Sequence, residues 1–185
     1  MEVENTRHMS LFALAPIPLL VFLGRQLSNK VPVDVYQRHR DTENWVWKTA
    51  GPAVEYRFEK MRPGTDRAKV ALLLSLSGKV RFDFLPREID ESFTVYELTL
   101  GTLEPSPTFL RTTEDLSRFK DAYQAALRTM LRDHGNIEAI HLFPAVPVPI
   151  AVLCGRELLP KVDPALLVYD YDKRRGGFTL TLRVN

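Results

Sequence analysis

The densest group of side chains suited to a charged ligand lies in residues 37–47, which read QRHRDTENWVW. Arginine pairs with phosphate, glutamine and histidine offer hydrogen bonds to a base edge, and tryptophan stacks on a base. The segment therefore predicts nucleotide binding. Its candidate contacts are Gln37, Arg38, His39, Arg40 and Trp45. On a strand, Trp45 and Trp47 would share one face, where the alternative to stacking on a base is packing on a helix.

A second polar segment follows the apolar run KVALLLSL, residues 69–76, which is typical of a buried parallel strand. Two hydroxyls, a glycine and a cation come at its end, where ligands bind in open α/β sheets. The candidate phosphate contacts are Ser75, Ser77, Gly78 and Lys79. The alternative is a polar turn that touches no ligand.

A third candidate segment, residues 170–178, reads DYDKRRGGF. It corresponds in the second half of the chain to the arginine-rich segment of the first half. Tyr171 and Lys173 are its candidate ligand contacts. The alternative is a solvated hairpin turn around Gly176 and Gly177.

The composition excludes several classes of protein. A net charge of +2 over 185 residues is too small for a broad nucleic-acid surface, so we expect no direct DNA binding. The single cysteine, Cys154, lies in an apolar run, which suits a core position and a cytoplasmic location. The four histidines show no metal-ligand spacing, and there is no P-loop or catalytic-serine motif. We therefore expect no enzyme activity, no metal and no cofactor.

Two segments of the chain repeat one another, which predicts two copies of one structural unit. Residues 12–31 align with 143–162, and nine of the twenty positions are identical. The identical pairs are Phe12/Phe143, Pro16/Pro147, Pro18/Pro149, Val21/Val152, Gly24/Gly155, Arg25/Arg156, Leu27/Leu158, Lys30/Lys161 and Val31/Val162. The apolar stretch 11–23 is therefore interpreted as a fold element. It is also too short to span a membrane.

Each copy predicts a strand, a turn containing proline, a short apolar helix and a further strand. The turns at Phe12–Pro16 and Phe143–Pro147 occupy matching points, and their backbone at Ala13 and Pro144 is predicted to line a pocket. A glycine inside a helix costs about 1 kcal/mol relative to alanine. The glycine of each copy therefore predicts a structural reason, such as close approach of helix to sheet.

The remaining elements complete an α/β pattern. We predict strands at 69–76 and 93–100, a short helix near 80–90, a helix over 112–133 capped by Thr112 and Asp115 with Gly135 past its end, and closing strands NWVWK and GFTLTLRV. An extra strand is predicted at Val54–Phe58. Residues 1–48 then form the C-terminal part of a first half, 49–68 a connector, and 69–185 a complete Rossmann-like unit.

The chain resembles the SAVED domain, the sensor module of nucleotide-synthase antiphage (CBASS) systems. The resemblance lies in LFALAPIPLLVFLGRQLSNKVPVDVYQRHRDTENWVWK, ALLLSLSGKV and HLFPAVPVPIAVLCGRELLPKVDPALLVYDYDKRRGGF. It runs from about residue 9 to the C-terminus and is greatest to SAVED sensors fused to HNH-type endonucleases. It implies an α/β fold of tandem Rossmann-like (CARF-like) halves with pseudo-twofold symmetry, of which the first half is truncated here.

The resemblance also implies a function. Such domains bind a cyclic di- or trinucleotide between their halves, associate head to tail, and so activate a fused or partner effector. We expect a sensor that is not itself an enzyme and has no contact with membranes. Two alternatives stay open: a phosphodiesterase like some CARF-like rings, and an interaction fragment that binds no nucleotide.

Overall fold

The structure is a computed structural model that describes residues 8–27, 32–159 and 161–185. The repeat residues Lys30 and Val31 lie outside the described residues. The strands are β1 (Met9–Phe12), β2 (Val33–Tyr36), β3 (Tyr56–Arg62), β4 (Lys69–Ser75), β5 (Thr94–Leu100), β6 (Ala139–Ala145), β7 (Ala165–Asp172) and β8 (Gly177–Val184). The helices are α1 (Ile17–Leu27), α2 (Thr113–His134) and α3 (Val148–Arg156).

The strands form two sheets. Six of them lie in the order β3-β5-β4-β6-β7-β8, and β1 and β2 form a separate parallel pair. Within the larger sheet, β5, β4, β6 and β7 run parallel, while the edge strands β3 and β8 are antiparallel to their neighbours. Helices α1, α2 and α3 contribute to the main core, and the loop between β4 and β5 covers the opposite face of the large sheet. The predicted α/β class is confirmed.

Helix α2 follows its sequence signals closely. The Asp115 backbone N–H donates to Thr112 Oγ1 over 3.1 Å, and the Thr112 N–H donates to the Asp115 carboxylate over 3.2 Å. This capping box satisfies backbone groups that the first turn leaves unpaired. The helix ends at Gly135, whose φ of 76° is a conformation that favours glycine. The predicted helix and its caps are confirmed.

The glycines of the repeat pack two helices together. A methyl group on Gly24 would lie 2.8 Å from the carbonyl carbon of Val152, and one on Gly155 would lie 2.8 Å from that of Val21. These contacts are reciprocal, because Val21 and Val152 are equivalent in the repeat, as are the glycines. The expected approach of helix to sheet is wrong: α1 and α3 approach each other directly.

Three other predicted elements differ in the structure. Residues 44–48 form irregular backbone instead of a strand, because Lys48 N–H bonds to the Arg111 carbonyl oxygen over 3.0 Å rather than to β2. The extra strand begins at Tyr56 and pairs with β5, so the segment 49–68 contributes an edge strand to the large sheet. The short helix near 80–90 is a single 3₁₀ turn, Phe82–Phe84.

The two copies of the repeat differ in how far other elements cover their apolar side chains. Phe12, Leu19 and Phe22 of the first copy are 55%, 53% and 42% exposed. Their equivalents Phe143, Ile150 and Leu153 are 0%, 0% and 8% exposed, because β4 pairs with β6 and α2 lies beside α3. Cys154 on α3 is fully buried, which confirms its predicted core position. Burial also raises the pKa of its thiol.

Candidate ligand-binding site

A cavity of about 690 Å³ opens where the carboxyl ends of strands from both sheets meet. It is lined by Leu14 and Ile17 after β1, Gln37, Arg38, His39, Arg40 and Glu43 after β2, Ser77 after β4, Pro107 after β5, and Val146, Pro147 and Val148 after β6. The packing of α1 on α3 brings these loops together, since each helix connects one sheet's strand to the next. Clefts of 300–1,000 Å³ are typical of small-molecule sites.

Both repeat helices begin at this cavity. Ile17 is the first residue of α1 and Val148 the first of α3, and both line the cavity wall. Neither helix has an acidic side chain in its first turn. Because backbone N–H groups at a helix start carry partial positive charge, two such charges lie on one cavity. This arrangement favours an anionic ligand.

The guanidinium-bearing side chains of the cavity are Arg38 and Arg40. Both are exposed, and neither forms an ion pair with any residue in the described ranges. Glu43 is the acidic side chain of the same wall. The two arginines therefore remain available for phosphate, and the carboxylate leaves the wall with a single excess positive charge.

Gln37 and His39 form the buried part of the same segment. They are 9% and 5% exposed, and the Gln37 amide donates to the Arg38 carbonyl oxygen over 3.0 Å. The His39 backbone N–H donates to the Asn44 carbonyl oxygen over 2.8 Å, and its ring lies edge-on to Trp47. Burial, with a further contribution from nearby Lys48, lowers the pKa of His39. The imidazole is therefore neutral near pH 7.

The two tryptophans have separate neighbours. The Trp45 ring lies edge-on to Phe12 at 5.5 Å, and Phe12 stacks on Tyr36 at 4.4 Å. Trp47 packs against the main core beside His39. Their predicted shared strand face is wrong, because residues 44–48 are not a strand. Trp45 lies in this aromatic cluster beside the first-copy loop, and is not among the residues lining the cavity.

Hydrogen bonds of the Ser75 side chain fix the start of the loop after β4. Ser75 is fully buried, donates to Glu97 Oε1 over 2.5 Å, and accepts from the Val80 backbone N–H over 3.0 Å. Its hydroxyl therefore holds the loop and is not open to a ligand in this structure. Ser77 reaches the cavity, and its N–H bonds to the Ala145 carbonyl oxygen over 2.7 Å. Gly78 and Lys79 follow, with Lys79 exposed.

The backbone positions predicted from the repeat lie short of the cavity. Strand β6 runs on to Ala145, so Pro144 is buried in the sheet, opposite Leu74. Ala13 is half-buried and packs on the main core. The lining residues lie one and four positions after Ala13 in the first copy, and two to four positions after Pro144 in the second. Pro144 is not among the residues that line this cavity, because β6 continues through it to Ala145.

The third predicted segment lies on the hairpin of β7 and β8. The Tyr171 ring contacts Phe84 at 5.3 Å and Phe178 at 5.5 Å. Lys173 is exposed in the turn. Neither residue lines the cavity, so the structure brings together the segments after β1, β2, β4 and β6 but not this one.

The residues that line the cavity but were not among the predicted ligand contacts are Leu14, Ile17, Glu43, Pro107, Val146, Pro147 and Val148. Pro107 lies in the connection from β5 to α2, where the Ser106 N–H bonds to the Leu76 carbonyl oxygen over 2.9 Å. The rule that selected the loop after β4 also applies to the loop after β5, so that signal was present. Within the described ranges, no group of three or more His, Cys, Asp or Glu side chains is placed to hold a metal ion. Nor does any helix there have the length and apolar character to cross a bilayer.

Comparison with known proteins identifies the family. Residues 2–184 match the SAVED family, described as the SMODS-associated and fused to various effectors sensor domain. The chain therefore belongs to the SAVED family of sensor domains, as its sequence motifs indicated. No curated protein matches it.

Solved structures share the fold. The Acinetobacter baumannii Cap4 SAVED/CARF-domain containing receptor with the cyclic trinucleotide 3′3′3′-cAAA matches with a TM-score of 0.71 and 16% identity. The same receptor with 2′3′3′-cAAA gives 0.70 and 16%. The Moraxella osloensis Cap4 receptor gives 0.63 and 14%. The matches cover 97% of this chain but 39%, 39% and 37% of those chains, so this chain spans about two fifths of their length.

Proposed function

We propose that this chain binds a cyclic di- or trinucleotide second messenger in the cavity at the carboxyl ends of its strands. The observation that carries the proposal is the convergence there of two unpaired arginines and two helix starts without acidic side chains. A cyclic oligonucleotide carries one phosphate per nucleotide around a compact ring. It therefore needs several anion contacts spread around one cleft, which the two copies of the repeat provide.

The individual contacts follow from chemistry and position. Arg38 and Arg40 pair with phosphates, and the backbone N–H groups of Ile17 and Val148, at the starts of α1 and α3, meet others. Ser77 adds a hydroxyl, and the exposed Lys79 adds a cation. Trp45 and Phe12 offer aromatic faces at the rim of the first copy. Support for this ligand class also comes from the A. baumannii receptor, which shares the fold and was solved with cyclic trinucleotides.

The output of the sensor is a second part of the proposal. The family description includes fusion to various effectors. Ligand binding is proposed to drive head-to-tail association of such domains, which activates a fused or partner effector such as an HNH-type nuclease. The chain itself then senses and does no chemistry on the ligand. Residues 1–48 and 69–185 would serve as the two ligand-binding halves, joined through 49–68.

The test is calorimetric titration with 3′3′3′-cAAA and with cyclic di-AMP, comparing the native chain with Arg38→Ala/Arg40→Ala. Loss of two charge-assisted contacts weakens affinity about a hundredfold or more. Arg128 is exposed on α2 away from the cavity, so Arg128→Ala is the matched control and keeps native affinity. Equal affinity of the double variant and the native chain would remove this cavity as the site.

A further inference from the structure

A small recess opens beside the main cavity. Its volume is about 10 Å³, and it shares Gln37, His39, Arg40 and Pro107 with the main cavity. A volume of this size admits about one water molecule or one group of similar size. Because the two spaces share walls, a group projecting from a ligand in the main cavity has a short route into the recess.

Two buried polar atoms of these shared residues lack partners. Gln37 Oε1 and His39 Nε2 have no hydrogen-bond partner, in a chain whose described residues leave Arg62 Nε as the one other such atom. Both side chains are at least nine-tenths buried. A buried polar group without a partner costs about 1–3 kcal/mol. The two unpaired atoms therefore destabilise the ligand-free protein, and a hydrogen-bond donor that enters the recess removes this cost.

Gln37 Oε1 and His39 Nε2 can both accept a hydrogen bond from an N–H donor. An amide oxygen only accepts hydrogen bonds. Burial lowers the pKa of His39, so the ring is neutral. The ring then carries one proton, and with that proton on Nδ1 its Nε2 is an acceptor. Two acceptors at positions 37 and 39, both on the wall shared by the recess and the main cavity, match one group with two N–H donors.

We propose that the recess takes the exocyclic amino group of one base of the ligand, with one N–H donated to Gln37 Oε1 and the other to His39 Nε2. This inference rests on the proposed function and adds its base preference. An amino group is close to a water molecule in size, so it fits where a larger substituent does not. Adenine, guanine and cytosine carry such a group, whereas hypoxanthine and uracil do not.

The competing occupant of the recess is a single ordered water. Such a water would satisfy both atoms without any ligand and would leave the base preference to other residues. The two cases differ in one measurable property, which is the ratio of affinities between rings that differ only in the amino group.

The experiment uses matched pairs of cyclic dinucleotides and 3′3′3′ cyclic trinucleotides. Hypoxanthine rings serve as the amino-free partners of adenine and guanine rings, and uracil rings as those of cytosine. We expect at least one amino-bearing ring to bind the native chain about tenfold or more tightly than its partner. In Gln37→Met, which keeps the volume but removes the acceptor, the ratio falls towards one. In Gln37→Glu, which keeps an acceptor oxygen, a preference for the amino-bearing ring remains.

The outcomes distinguish failure of the base preference from failure of the proposed function. Equal binding of matched rings by the native chain means that the recess holds water only, and it overturns the base preference while the proposed function stands. A preference that survives unchanged in Gln37→Met also overturns it. If no ring binds the native chain, the proposed function fails and this inference fails with it. Melting temperatures of the variants verify that each is folded.

Discussion

At the scale of single residues, the sequence distinguished cavity-lining side chains from buried structural side chains only in part. The segment 37–40 was found because its residue types are chemically suited to nucleotides, and the structure places it on the cavity. Ser75 was selected by the same reasoning, yet its hydroxyl is buried between Glu97 and the Val80 N–H. A single sequence does not distinguish a serine whose buried hydroxyl stabilises a loop from a serine that lines the cavity.

The two serines make a matched test of this difference. Ser75→Ala leaves the Glu97 carboxylate and the Val80 N–H without their partner, so the free energy of unfolding falls by about 1–3 kcal/mol. Ser77→Ala removes a half-buried cavity hydroxyl, so affinity for the cyclic nucleotide falls while stability stays within about 0.5 kcal/mol. Urea denaturation and calorimetry of both variants measure the two quantities. Equal stability loss in both variants would contradict the distinct roles.

At the scale of elements, local signals predicted helix α2 well and the segment 44–48 poorly. The caps of α2 act between neighbouring residues, so the sequence contains them in full. Residues 45–47 are aromatic or β-branched, which favours a strand, but the Lys48 backbone N–H bonds to the loop before α2 instead. The choice was made by a tertiary contact some 60 residues away, which no local pattern encodes.

The contact between α1 and α3 gives the sharpest prediction at this scale. An alanine at Gly24 or Gly155 would overlap the opposite helix backbone, which cannot move as a flexible side chain does. Overpacking of this kind costs about 1–3 kcal/mol, which lowers the melting temperature by about 2–4 °C per kcal/mol in a chain of this length.

The control for this prediction is Gly78→Ala. An added methyl group at Gly78 meets nothing within 4 Å, so its melting temperature stays close to that of the native chain. Differential scanning calorimetry of the three variants makes the comparison. If Gly24→Ala and Gly155→Ala have the same melting temperature as the native chain, α1 and α3 do not form this contact.

At the scale of the whole molecule, the repeat is symmetric in its strand-helix-strand unit and asymmetric in its surroundings. The repeat was visible in the sequence because nine positions are identical. The mutual packing of Gly24 and Gly155 was not visible in the sequence. A glycine within a helix indicates a close approach, but it does not show which element approaches the helix. The asymmetry appears in the exposure of equivalent apolar side chains, of which Leu19 and Ile150 are the clearest pair.

This asymmetry predicts unequal effects of the same substitution at equivalent positions. Ile150→Ala removes a fully buried side chain and costs about 2–5 kcal/mol. Leu19→Ala acts on a side chain that is 53% exposed, so its cost in this chain is a small fraction of that. Chemical denaturation of the two variants measures the difference. Similar losses would show that the Leu19 face is covered in solution.

The central claim is that this cavity binds a cyclic oligonucleotide, and a thermal-shift measurement tests it most directly. The purified chain is melted with a panel of cyclic di- and trinucleotides, with linear dinucleotides and mononucleotides as controls. A ligand at a hundred times its Kd stabilises the native state by about 2.7 kcal/mol. The predicted result is a selective rise in melting temperature with at least one cyclic species. A cooperatively folded sample whose melting temperature no cyclic nucleotide raises would contradict the claim.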